Sequence, residues 1–228
     1  VDWPALARLV EDLAQPGSGP AGATAAQWQP LADALADLQA GHDDAGLVHL
    51  RLLLVPLFAR DSITGFALLH AVDDAAIAAA ERLGLDADLG HFWGARGHNL
   101  HRTGLHEEAI AAFERSQAHY HRVGATFPAL KSYYMCALCY RALGDRTQAT
   151  HILEDVLAQV PADDPWRGNP LQVLAWLQRN TGDLAGAEQR LAEARDRALL
   201  MTYGNLQSLE VSRKRQLADL HRDIGIVE

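Results

Sequence analysis

Cysteine is nearly absent from this chain: Cys136 and Cys139 are the only two in 228 residues. Two thiols three positions apart cannot build a disulfide framework, which points to a reducing, cytoplasmic setting. Long apolar runs are also missing. The most apolar stretch, 47–58, is interrupted by His49, Arg51 and Pro56, so no membrane span is expected. The chain opens Val1-Asp2-Trp3-Pro4, without the basic region and apolar core of a signal peptide. It also lacks an initiator methionine, and a piece cut from a longer polypeptide is expected. Positive charge is in deficit, with 20 Lys and Arg against 29 Asp and Glu and a formal net charge of -9. That balance argues against general nucleic-acid binding, which needs a basic surface to displace counterions from phosphates. Alternating Val, Ile and Thr runs are scarce, which argues against strands. No Gly-x4-Gly-Lys-Ser/Thr occurs, so the chain carries no phosphate-binding loop of that kind.

What remains is rich in Ala, Leu, Arg, Glu and Gln, a helix-forming composition. With 49% hydrophobic and 21% charged residues, the chain is expected to fold. One low-complexity stretch, Pro16-Gly17-Ser18-Gly19-Pro20-Ala21-Gly22, separates a short first helix, about 4–15, from the rest.

Three later segments share one pattern. The first runs Trp93-x2-Arg96-Gly97-x2-Leu100, Gly104, Ala109-x3-Phe113. The second runs Tyr133-x2-Cys136-Ala137-x2-Tyr140, Gly144, Ala149-x3-Leu153, Pro161. The third runs Leu171-x2-Leu174-Ala175-x2-Gln178, Gly182, Ala187-x3-Leu191. The glycines at 104, 144 and 182 are separated by 40 and 38 residues, and the alanines at 109, 149 and 187 repeat those intervals. Each glycine suits a helix end that needs positive φ. Asp145 and Asp183 suit N-caps of the helices that follow. Gly97, Ala137 and Ala175 are small enough to let two helices of a hairpin cross closely.

These residues resemble the tetratricopeptide (TPR) repeat family over roughly 84–204. The resemblance implies an all-α, TPR-like helix-hairpin superhelix with an added capping helix. Arg96 stands where a leucine is usual, Gln178 where an aromatic is usual, and the period exceeds the common 34 residues. The expected organisation is an N-terminal helix and linker (1–23) and divergent TPR-like hairpins (24–83). Three long repeats follow (84–123, 124–164 and 165–204), then a capping helix (205–228) with Arg213-Lys214-Arg215 on its polar face. Within the divergent part, helices are expected over 25–39, with Trp28, Leu31, Leu35 and Leu38 on one face, and over 45–58 and 62–83. The long period and the order of segments look like the C-terminal TPR sensor array of bacterial STAND signalling ATPases and transcription regulators. That resemblance implies a module binding a protein, a peptide or a small effector. Its partner would be the NTPase domain of a parent chain or an acidic ligand.

Catalytic arrangements are not apparent, and no cofactor is expected. The carboxylate pairs Asp43-Asp44, Asp73-Asp74, Glu107-Glu108 and Asp163-Asp164 are read as helix starts or loops, where they favour the helix dipole. Cys136 and Cys139 are placed mid-helix and expected to be buried rather than reactive. Among 11 histidines, His91, His98 and His101 share one helix face, which gives a metal-binding alternative if they converge. In the TPR pattern the first helix of each unit lines the concave surface. The expected ligand-binding face is therefore His91, His98 and His101 (with Gly94 between them), then Lys131, Tyr134 and Arg141, then Asn169, Gln172, Trp176 and Arg179. An acidic protein thus places basic and aromatic residues on one face, a composition enriched at recognition sites. The alternative is that these helices simply carry a mixed solvated surface. TPR clamps for C-terminal carboxylates use Lys and Asn where this chain has Gly94 and His98, so that mode is not expected. A self-assembling scaffold is the rival to a binding module.

Overall fold

A computed structural model describes residues 1–14, 25–58 and 66–196. Among them every regular element is helical and no strand occurs. The helices are α1 (Trp3–Ala14), α2 (Ala25–Ala40), α3 (Asp44–Leu53), α4 (Val55–Phe58), α5 (Phe66–Leu83), α6 (Asp86–Arg102), α7 (His106–Arg122), α8 (Thr126–Leu143), α9 (Arg146–Gln159) and α10 (Gly168–Thr181). A 3-10 turn, Pro165–Arg167, precedes α10, and residues 184–196 form a further helix, α11. The expected capping helix at 205–228, the linker at 16–22 and the start of the 62–83 helix lie outside the described residues. Two compact units, Val1–Ser132 and Tyr133–Glu228, divide the chain inside α8.

One local device ends helix after helix. Gly84, Gly104, Gly124, Gly144 and Gly182 all have φ between 67° and 88°. At Gly104 the amide donates to His101 O at 3.2 Å, and the next amide, of Leu105, donates to Leu100 O at 3.0 Å. These paired bonds satisfy carbonyls that the helix end leaves open. The same pair recurs at the other four glycines. It recurs once more at the end of α2, where His42 stands in the glycine's place with φ 51°. A side chain there pays the steric cost that glycine escapes. Asp43, Asp145 and Asp183, each following such a residue, accept from the amides of Gly46, Gln148 and Gly186 at 2.8–3.0 Å. Both expected caps are therefore formed, and Asp43, read as part of a helix start, makes a third. The end of α9 differs. Val160 is extended, and the Arg167 guanidinium covers the carbonyls of Leu157 (2.5 Å) and Val160 (3.0 Å).

In the first unit α6 and α7 are the most intimately packed hairpin. Gly90, Gly94 and Gly97 form a stripe on α6. A methyl added at Gly97 would lie 2.7 Å from the Phe113 ring, and one at Gly90 would lie 2.8 Å from Tyr120. The missing side chains let large α7 residues fill the gap, as ridges fill grooves. Ser116, fully buried in this seam, donates to Gly90 O at 2.6 Å and lies 2.9 Å from Ser132 Oγ. Gly94 therefore faces Ser116 across the hairpin, 3.1 Å from its would-be Cβ, which corrects its placement on the binding face. In the second unit the small positions Ala137, Ala149, Ala175 and Ala187 are all buried.

Two expectations fail in the divergent region. The single helix expected over 45–58 is broken after Leu53, because Pro56 has no amide to continue the ladder. Asp73 and Asp74 do not begin a helix or sit in a loop. They lie in the middle of α5. Asp73 is 3% exposed and binds two guanidinium groups, Arg51 Nε at 2.7 Å and Arg96 at 2.8 Å. Arg51 is only 1% exposed and also lies over the Phe92 ring. Arg96 additionally pairs with Asp74. Arg96, one of the two departures from the TPR pattern, is thus the residue that ties α6 to α5. Around this ion network, Leu31, Leu50, Val72, Ala76, Ala80 and Phe92 belong to the unit's apolar core. The face expected on α2 (Trp28, Leu31, Leu35 and Leu38) is buried in the same core.

Candidate functional site

The face expected to bind is placed residue by residue as follows. In the second unit, α10 turns Leu171, Leu174, Ala175 and Leu177 inward. Its periodicity leaves Asn169, Gln172, Trp176 and Arg179 as an exposed stripe at spacings of three and four residues, one helical face. Trp176 is 40% exposed, unusual for the largest apolar side chain. From α8, Arg141 places its guanidinium 5.3 Å from the Trp176 ring centroid. No carboxylate pairs with Arg141 or Arg179 among the described residues. Tyr134, half-buried on α8, meets Trp166 edge to face at 5.4 Å. Burial pushes the Tyr134 hydroxyl above its ordinary pKa, so it stays protonated as a donor. Trp166 was missed in the sequence. Its neighbours Asp164 and Pro165 signal the 3-10 turn, and Asp164 accepts from the Trp166 amide at 2.8 Å.

In the first unit, His91 and His98 are exposed on α6, and His101 is half-buried near its end. His98 meets Phe113 edge to face at 5.2 Å. Desolvation by their surroundings, chiefly, holds both His91 and His98 below the ordinary imidazole pKa. Arg51 adds to this at His91, and His101 and Arg102 at His98. At neutral pH these rings are therefore uncharged, which weakens the positive sign expected of this face. Lys131 is exposed on α8 with its ammonium 4.6 Å from the Phe127 ring. The ring nitrogens of His91, His98 and His101 do not converge to metal-sharing distance.

Other chemistry is structural in its geometry. Cys136 and Cys139 are buried thiols, and burial pushes the Cys139 thiol up to about 11. That is opposite to the shift that activates a thiolate. Asp86 joins His119 Nδ1 at 2.6 Å and Arg122 at 3.1 Å, bracing the start of α6 against the end of α7. The hydrogen bond from His119, then that from Arg122, holds the Asp86 carboxyl below the usual carboxylate range. Trp93 is 8% exposed and has two guanidinium groups over its ring, Arg115 at 4.4 Å and Arg96 at 5.0 Å.

No helix among the described residues is long and apolar enough to cross a membrane. A family model described as tetratricopeptide repeat matches residues 90–117, which span most of the α6–α7 hairpin. No curated protein matches the chain.

Proposed function

We propose that this chain is a non-enzymatic protein-interaction module whose recognition surface in the second unit is centred on Trp176. The observation that carries this reading is the exposed Trp176–Arg141 pair. A large indole reaches solvent from a helix that otherwise buries its apolar residues, and a cation with no carboxylate partner among the described residues lies against it. Such groups anchor interfaces, because the ring buries much area and the guanidinium adds directed hydrogen bonds. Gln172, Asn169 and Arg179 extend the polar rim. TPR repeats generally serve protein–protein interaction, and the matched repeat at 90–117 supports that class for this chain.

The partner that fits is an acidic peptide or protein surface, since Arg141 and Arg179 have charge to share while the chain as a whole carries -9. The order of segments further supports the role of a sensing array in a larger STAND-type signalling protein, with the parent NTPase domain as one such partner. Binding of acidic peptides and of the parent's domains, measured by titration calorimetry with native, Trp176→Ala and Arg141→Ala proteins, tests the surface. Loss of the indole should weaken binding by about 2 kcal/mol or more. Equal affinity of an authentic partner for all three proteins would remove this face from consideration.

A further inference from the structure

The α6–α7 hairpin carries a second feature that protein recognition does not use. His101 lies in the last turn of α6 and His106 is the first residue of α7. The Thr103-Gly104-Leu105 turn therefore holds two imidazoles from opposite arms of one hairpin. Their ring centroids are 5.1 Å apart with planes inclined at 53°, and a ring nitrogen of each lies within 4.8 Å of the other's. His106 Nδ1 is buried and makes no hydrogen bond. A buried polar nitrogen left without a partner is costly, and an ion is one of the few groups that resolves it. The turn beneath the pair is well fixed. Gly104 and Leu105 donate to His101 O and Leu100 O, and the Thr103 hydroxyl bonds to Asn99 O and Leu100 O at 3.0–3.1 Å. Ligands carried on braced helix ends have little freedom left to lose on binding.

We propose that His101 and His106 form a binding site for a divalent d-block cation of the zinc, nickel or copper class, with water completing the coordination. Neutral imidazole nitrogen favours these borderline ions over magnesium or calcium, which need clustered oxygens. Two bonds of about 2.0–2.1 Å in tetrahedral geometry place the nitrogens roughly 3.4 Å apart. Reaching that spacing requires a side-chain rotation of half-buried His101. His91 and His98, the other members of the sequence trio, take no part.

The test uses the full chain purified without a histidine tag and titrated with zinc chloride and nickel chloride. One ion per chain is expected, with affinity reduced about tenfold or more in His101→Ala and in His106→Ala and unchanged in His91→Ala. Circular dichroism of each variant, with His101→Gln and His106→Gln as milder substitutions, separates lost ligands from lost fold. A variant with Cys136→Ser and Cys139→Ser controls for thiols. Failure of the native chain to bind one ion overturns the site. So does binding that survives both histidine substitutions, or that disappears only with the cysteines.

Discussion

Each unit packs a tryptophan against arginine, Trp93 in the first and Trp176 in the second, and the two use the same chemistry in opposite ways. Trp93 is buried, and one of its guanidinium neighbours, Arg96, is tied to Asp73 and Asp74. Trp176 is 40% exposed, and its neighbour Arg141 has no carboxylate partner among the described residues. In the first unit the ring is buried and the Arg96 charge is neutralised from within, so that contact serves packing. In the second, the ring reaches solvent and the Arg141 charge has no carboxylate partner among the described residues. Burial of the ring, together with the counter-ions on Arg96, distinguishes the structural contact from the candidate recognition pair.

The largest effects should come from cutting the first unit's inward chemistry. Trp93→Ala should cost about 3–5 kcal/mol, as expected for a buried aromatic. Trp176→Ala should cost clearly less, about 1–2 kcal/mol, because 40% of that side chain is already in water. Urea denaturation of both variants measures the contrast. Similar losses in the two would break the comparison, because Trp176 would then be part of the core.

A second experiment asks what the buried charges contribute. Asp73→Ala leaves Arg51, 1% exposed, without its carboxylate. A loss of about 3–5 kcal/mol is expected, since one partner of a buried ion pair is removed. The double variant Arg51→Met/Asp73→Leu should recover most of that loss, because well-packed apolar groups replace a buried pair at little cost. If the double variant were as unstable as the single one, the network's remaining bonds to Arg96 would be the more important part.

This network also marks the limit of what the sequence discloses. Repeat spacing placed the glycine turns, the Asp145 and Asp183 caps and the small crossing residues, because each is a local requirement visible within a few positions. The stripe Asn169, Gln172, Trp176 and Arg179 was legible for the same reason, since helical periodicity alone separates it from Leu171 and Leu174. The pairing of Arg51, Asp73 and Arg96 was not legible. Its members come from α3, α5 and α6, and only packing brings them together. The one hint was Arg96 itself, a charge at a position where the repeat wants leucine. His42 was hidden for a different reason, because nothing in its type announces a positive φ.

The smallest effect concerns acidity and sharpens the contrast between the two faces. His98 has a pKa below the ordinary imidazole value, held down first by desolvation and then by His101 and Arg102. The folded state therefore binds its proton less readily than the unfolded chain does. Where the unfolded state holds more protons, stability rises with pH. The contribution is complete above the unfolded value of about 6.5 and is lost as pH falls from there through the lower folded value. Thermal unfolding followed from pH 7.5 down to about 5 should show a decline that is shallower in His98→Gln. Binding should move the other way over the same window. Protonation of His91 and His98 gives the first unit's face the positive charge it lacks at neutral pH, so an acidic ligand contacting that face should bind more tightly as pH falls. A ligand confined to Trp176 and Arg141 should show no such change, since a guanidinium does not titrate in this range. Opposite pH slopes for stability and affinity would show that the partner reaches the histidine face. A flat affinity profile would confine recognition to the tryptophan surface.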